Sequence, residues 1–264
     1  MEGICEHGED LMLTRDQLRR LHRASLPLHI LEQDYIQALF LKELYLRTEN
    51  LVFKGGTYLR HAFGLDRYSE DLDFTMYGDA DPEQVLGDAS RDLASYGIEA
   101  SITRINEGER TIEGLLRYKG PLFDGNEASI GAIHIEISTR EDVLLDPIWT
   151  RMFFEYPEAR VVNVLGLRKE EAFSEKLRAL GMRNKGRDLY DVWFLLEQGT
   201  VVNGSIFEKK MDLLCQDAKI LIRVSEEEWN RDLAVLLPHP PEYKMVLYDV
   251  LALLNREGLN VRKE

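Results

Sequence analysis

The chain has 264 residues, 44% of them apolar, enough to bury a sizeable core as one large domain or two small ones. A formal net charge of −14 argues against a protein that coats nucleic acid nonspecifically, which needs clustered Lys and Arg, although a local basic groove stays compatible with it. Cys5 and Cys215 form neither a CxxC motif nor a disulfide framework, the acidic start MEGICEHGED lacks a signal peptide's apolar segment, and no apolar run approaches the ~18 residues of a membrane span; a cytoplasmic protein with no membrane partner is expected.

Residues 15 to 47 read as helical, with Ile36, Leu39, Phe40 and Leu44 near one stripe and Pro27 separating two segments. Leu51-Val52-Phe53 reads as a buried strand that ends in a Gly55-Gly56 turn. TYLRHAF then opens a helix with Thr57 as N-cap and Gly64 as its stop. SEDLDFTMY reads as a strand, residues 82 to 96 as a helix closed by Gly97, and IEASITRI and TIEGLLRYK as strands. GAIHIEIS has the cleanest two-residue period, with Ile133, Ile135 and Ile137 on one face and His134, Glu136 and Ser138 on the other. A short strand near VVNVL follows. From Leu167 the chain reads as helical: 167 to 180, 188 to 196, and two or three helices within 205 to 256, broken near Pro238, Pro240 and Pro241. The expected organisation is a mixed-sheet α/β (α+β) core with N-terminal helices over 1–165 and a helical C-terminal part over 166–264.

Asp71 and Asp73, one residue apart on a strand, put two carboxylates on one face. Such a pair suits Mg²⁺ or Mn²⁺, because a cation offsets the repulsion between them; the plain alternative is an exposed acidic strand face. Glu136 is an acid within an otherwise apolar strand. Beside the Asp71–Asp73 strand it would complete a triad able to hold two metals about 4 Å apart, as in phosphoryl transfer. Otherwise it belongs to a polar outer face, as His134 is taken to do. Gly55-Gly56-Thr57 at a helix start can admit a phosphate to free N–H groups or be an ordinary turn. Ser69 contacts phosphate or caps a turn. Lys176 reaches a triphosphate or lays its stem over apolar neighbours. Asp188 and Asp191, about one helical turn apart, orient Lys176 or the acceptor, unless Asp188 is simply an N-cap.

FKGGTYLRHAFGLDRYSEDLDF closely resembles a signature of the AbiEii/AbiGii-type toxin nucleotidyltransferases, which include the MenT toxins and branch from the DNA polymerase β-like superfamily. EAFSEKLRALGMRNKGRDLYDVWFLL is similar to the same family's second signature, and LEQDYIQALFLKELY to its N-terminal helix. The resemblance implies a polymerase β-like nucleotidyltransferase core. It also implies that Gly55, Gly56 and Ser69 hold an NTP triphosphate, flanked by Lys54 and Thr57. Asp71, Asp73 and Glu136 would bind metal, Glu136 standing where many relatives carry aspartate. Lys176 would be the lysine of the third motif, and Asp188 or Asp191 the acid of the fourth. The implied function is transfer of NMP to an RNA acceptor, the tRNA 3′ end, by a toxin neutralised by an antitoxin. A protein or small-molecule acceptor, and an inactive nucleotide-binding protein on this fold, are the alternatives. The cationic run of Arg168, Lys169, Lys176, Arg178, Arg183, Lys185 and Arg187 would form the RNA groove, or a solvated helix face diluted by Glu170, Glu171 and Glu175.

Overall fold

The structure is a computed structural model that describes residues 12–21, 26–108, 110–140, 142–183, 185–212 and 220–264; Cys5 and Cys215 lie outside the described residues. Two helices, α1 (Arg15–Leu21) and α2 (Leu28–Tyr45), flank Pro27 as expected. The single stripe foreseen for α2 is wider in fact: Leu31, Tyr35, Ile36, Ala38, Phe40 and Leu41 are all buried, so the helix is enclosed on every side. It packs on the sheet built by the strands that follow, with a later helix on its other flank.

The strands are β1 (Leu51–Lys54), β2 (Leu72–Met76), β3 (Glu99–Glu107), β4 (Thr111–Lys119), β5 (Gly131–Ser138), β6 (Ile148–Phe153) and β7 (Val161–Gly166). Among the described residues they form one seven-stranded mixed sheet in the order β3-β4-β5-β2-β1-β7-β6. The central pairs decide the site. β1 runs antiparallel to β2, placing Lys54 opposite Asp73, and β2 runs parallel to β5, placing Asp73 opposite Glu136. β6 was not anticipated; it is an edge strand paired to β7, and exposed Ile148, Trp149 and Phe153 blur its alternation.

α3 (Gly55–Phe63) begins at the first glycine, not after it, so Thr57 is an internal residue and not the N-cap. Gly64 ends it in the left-handed conformation (φ 79°). α4 (Pro82–Asp92) is capped by Asp81, whose carboxylate accepts from the Gln84 N–H.

The C-terminal segment carries α5 (Lys169–Arg183), α6 (Gly186–Glu197), α7 (Gly204–Asp212), α8 (Glu226–Leu233) and α9 (Tyr243–Arg256). A small parallel pair of strands, β8 (Ile220–Ile222) and β9 (Val261–Lys263), was not foreseen. One continuous cluster of buried apolar side chains runs from the sheet into these helices. No helix among the described residues is long and apolar enough to cross a membrane.

Candidate active site

β1 leads directly into α3 at Gly55, whose φ of +79° is a backbone state that L side chains rarely adopt. A Cβ there would overlap the Asp73 carboxylate. At Gly56 a Cβ would come within 2.7 Å of Ser69 Oγ and 2.8 Å of Arg67 Nη2. Whatever they offer a phosphate, the two glycines therefore let the acidic strand and the preceding loop close onto the start of α3. Two hydrogen bonds fix that closure. The Thr57 hydroxyl donates to the Asp71 carbonyl (2.7 Å), and the Gln37 side-chain amide of α2 donates to the Ser69 carbonyl (3.1 Å).

Asp73 and Glu136 line a cavity of about 200 Å³ together with Lys54, Gly55, Glu175, Arg140, Lys176 and Arg183. The enclosed part is smaller than the ~300 Å³ at which whole-ligand sites begin, so it suits a phosphate chain more than an entire nucleotide. Asp71 stands one residue before β2, a third exposed, with Arg187 3.9 Å away, and it does not line this cavity. Burial, and then the like charge of Asp73, push the Asp71 carboxyl above its ordinary range, against the pull of Arg187 and His134.

Among the described residues no group of three His, Cys, Asp or Glu side chains is already gathered to hold a metal. The three-way convergence foreseen from the sequence is thus only partly assembled: Asp73 and Glu136 lie side by side, and Asp71 leans toward Arg187. The donor chemistry still fits a hard divalent cation, since all three are carboxylates, and burial and then the like charge of Asp73 disfavour the bare Asp71 anion.

Behind the cavity lies a buried ionic cluster. Lys176 Nζ is 2.6 Å from Asp191 Oδ2 and 3.9 Å from Asp188 Oδ1. Asp191 is also gripped by Arg67, whose Nε and Nη2 donate to its two oxygens at 2.6 Å each. Burial opposes the ionised form of Asp191, but Arg67 and Lys176 hold its carboxyl below the ordinary range. Asp188 is not the N-cap of α6, a position held by Lys185; it is fully buried in the first turn and accepts from Arg183 Nη2 (2.9 Å). Burial works against the charge of Arg183, yet Asp188, and after it Asp73 and Glu136, raise its pKa. The two acids left undecided by the sequence thus divide the work, Asp191 holding Lys176 and Asp188 holding Arg183.

The cationic run splits. Lys176, Arg178 and Arg183 turn to the cavity and Arg187 toward Asp71, whereas Arg168 donates to the Asp146 carbonyl and Lys169 lies over the Phe63 ring. Sequence reasoning missed Arg67. Its place two residues before Ser69, in DRYSEDLDF, was the available signal, but a buried arginine reads like an exposed one.

The model of a family described as nucleotidyl transferase AbiEii toxin, type IV toxin–antitoxin system, matches residues 39–256. The fold is similar to that of the nucleotidyltransferase toxin MenT4 from Mycobacterium tuberculosis H37Rv, with 19% identity, 93% of this chain and 90% of that one covered, and a TM-score of 0.69. It is also similar to JHP933 from Helicobacter pylori, with 20% identity, 88% and 93% covered, and a TM-score of 0.57. At such identities the likeness is one of fold, and that fold is the mixed α/β architecture expected from the sequence. No curated protein matches the sequence significantly.

Proposed function

Since the chain belongs to the AbiEii family of nucleotidyltransferase toxins of type IV toxin–antitoxin systems, we propose that it transfers a nucleoside monophosphate from an NTP to an RNA hydroxyl, at the 3′ end of tRNA, with Mg²⁺ or Mn²⁺. Family membership also implies a cognate antitoxin. The observation that carries the reading is the pairing of Asp73 with Glu136 in the lining of a cavity that Lys54, Arg140, Lys176 and Arg183 also line.

The reaction is an in-line displacement. The acceptor oxygen bonds to the α-phosphorus, the bond from that phosphorus to the bridging oxygen breaks, and pyrophosphate leaves. A divalent cation held by Asp71, Asp73 and Glu136 would supply charge neutralisation at the reacting phosphate and a more acidic attacking hydroxyl. The chain's own residues do the positioning. Lys176, Arg183 and Lys54 bind the triphosphate and its leaving pyrophosphate. Gly55 and Gly56 keep the carboxylates and the start of α3 in contact, and a helix start of this kind offers N–H groups to a phosphate. Glu136 accepts the acceptor's proton or helps to hold the cation.

The deciding experiment is incubation of the protein with each α-labelled NTP and total cell extract. Label on RNA of tRNA size, absent with Asp73→Ala, is the expected result. Label on protein or on a small molecule would move the acceptor assignment, a direction the net charge of −14 favours. RNA labelling that is equally absent from wild type and Asp71→Ala would sink the RNA reading.

A further inference from the structure

Arg67 does not line the cavity, yet each of its three guanidinium nitrogens is engaged. Its guanidinium is 2% exposed, grips both oxygens of fully buried Asp191, and donates its remaining Nη1 to the Tyr68 carbonyl at 2.9 Å. Lys176 approaches one of those same oxygens. One buried carboxylate is therefore shared by two cations, and only Lys176 also faces the cavity.

We propose that Arg67 is a positioning residue that frees Lys176 for the nucleotide: by neutralising Asp191 on its own, it lets the lysine ammonium turn to a triphosphate without stranding a buried anion. The inference rests on the reading of Lys176 as a triphosphate ligand. The physical argument is one of counter-ions. An unpaired carboxylate inside the protein is costly, so an ammonium that was the sole partner of Asp191 would be held back from any incoming phosphate. A bidentate guanidinium removes that constraint, because its two parallel N–H groups match the carboxylate and fix its orientation. A lysine in its place lacks the planar pair of parallel donors that holds both oxygens in one fixed geometry.

The surroundings are shaped to the same end. Gly56 lacks the Cβ that would press on the Arg67 guanidinium, and Arg67 lies in the loop that carries Ser69 and Asp71 into the site. The same side chain thus ties the carboxylate loop to α6, and through Asp191 to the lysine of α5.

The test measures equilibrium binding of each labelled NTP in Mg²⁺ buffer, with KM and kcat for transfer, in the full chain. Arg67→Ala should weaken NTP binding and raise KM by about tenfold or more, with a smaller change in kcat. Adding Asp191→Asn to Arg67→Ala should recover much of that affinity, since a neutral amide no longer detains the ammonium; a merely structural Arg67 would make the double variant worse. Arg67→Lys should fall between wild type and Arg67→Ala. If Arg67→Ala does not fold, Arg67→Lys carries the test, with several-fold weaker NTP binding at a near-native melting temperature expected. Wild-type affinity in either folded Arg67 variant, or no recovery in the double variant, overturns the proposal. Lys176→Ala separates the two levels. If it binds NTP like wild type, the assignment of Lys176 falls and takes this inference with it; if it loses binding while the Arg67 variants do not, only the inference falls.

Discussion

Gly55 is where one atom decides the site. Its φ of +79° disfavours any L side chain, and its missing Cβ is the space that the Asp73 carboxylate occupies. Gly64 has the same φ of +79° but open space around it, so the two form a matched pair. Gly64→Ala should cost about 1 kcal/mol of stability, the usual penalty for a side chain in that backbone region, and leave transfer intact. Gly55→Ala should carry that cost and also expel Asp73 from its position, reducing transfer to the level of Asp73→Ala. Melting curves and transfer assays on the two variants check this, and equal activity would mean that Asp73 is not needed where the structure places it.

The helix α7 packs on α5 and brings a buried charge up to the site. Lys210 is fully buried, 2.7 Å from Glu171 and 2.9 Å from Glu175, and donates to the Asp142 carbonyl at 3.0 Å. Glu171 in turn accepts the N–H groups of Leu144 and Leu145, and Glu175 lies 3.4 Å from Lys54. Removing the ammonium takes the neighbouring cation from fully buried Glu171 and leaves half-buried Glu175 to Lys54. Lys210→Met should therefore cost about 3–5 kcal/mol, and a further Glu171→Gln should return part of it, read by denaturant unfolding. This network shows where the sequence stops being informative. Elements with a clear period could be read: β5 alternates because one face meets the core, and the same alternation put Glu136 on the side of Asp73. The half-exposed edge strand β6 and the three-residue strands β8 and β9 had no such pattern. Thr57 looked like a cap because local chemistry favours it there, whereas a contact with the Asp71 carbonyl, set by the sheet, gives it another task. Arg67 and Asp191 are 124 residues apart, and Lys210 and Glu175 are 35 apart. Only the folded chain brings such partners together, so the register that sets Asp73 beside Glu136 was legible and the ionic frame behind them was not.

At the scale of the whole molecule, two sets of buried or partly buried acids among the described residues pull stability in opposite directions with pH. Asp34, inside α2, is buried, which opposes its charge, but His61, Arg60 and the Tyr156 hydroxyl hold its carboxyl well below the ordinary range. Asp191 is depressed in the same sense by Arg67 and Lys176. A group whose pKa is lower in the folded state stabilises the fold above its unfolded value, near 4, and that stabilisation is lost as the pH falls through the folded value. Asp71 and Glu32 are shifted the other way, chiefly by burial. Their contribution is complete below the unfolded values and disappears as the pH rises through the raised ones. The net charge of −14 adds repulsion on the same alkaline side. The metal-free protein should therefore melt highest at mildly acidic pH, above the range where Asp34 and Asp191 protonate and below neutrality. A series of melts from about pH 3 to about pH 8 should show that maximum, with a steep fall on its acid side. Mg²⁺ added near neutrality should raise the melting temperature of wild type more than that of Asp71→Asn, because the amide has already removed the repulsion that a cation would relieve. Equal increments in the two proteins would show that Asp71 takes no part in holding the ion, and the acid pair lining the cavity would then have to act without it.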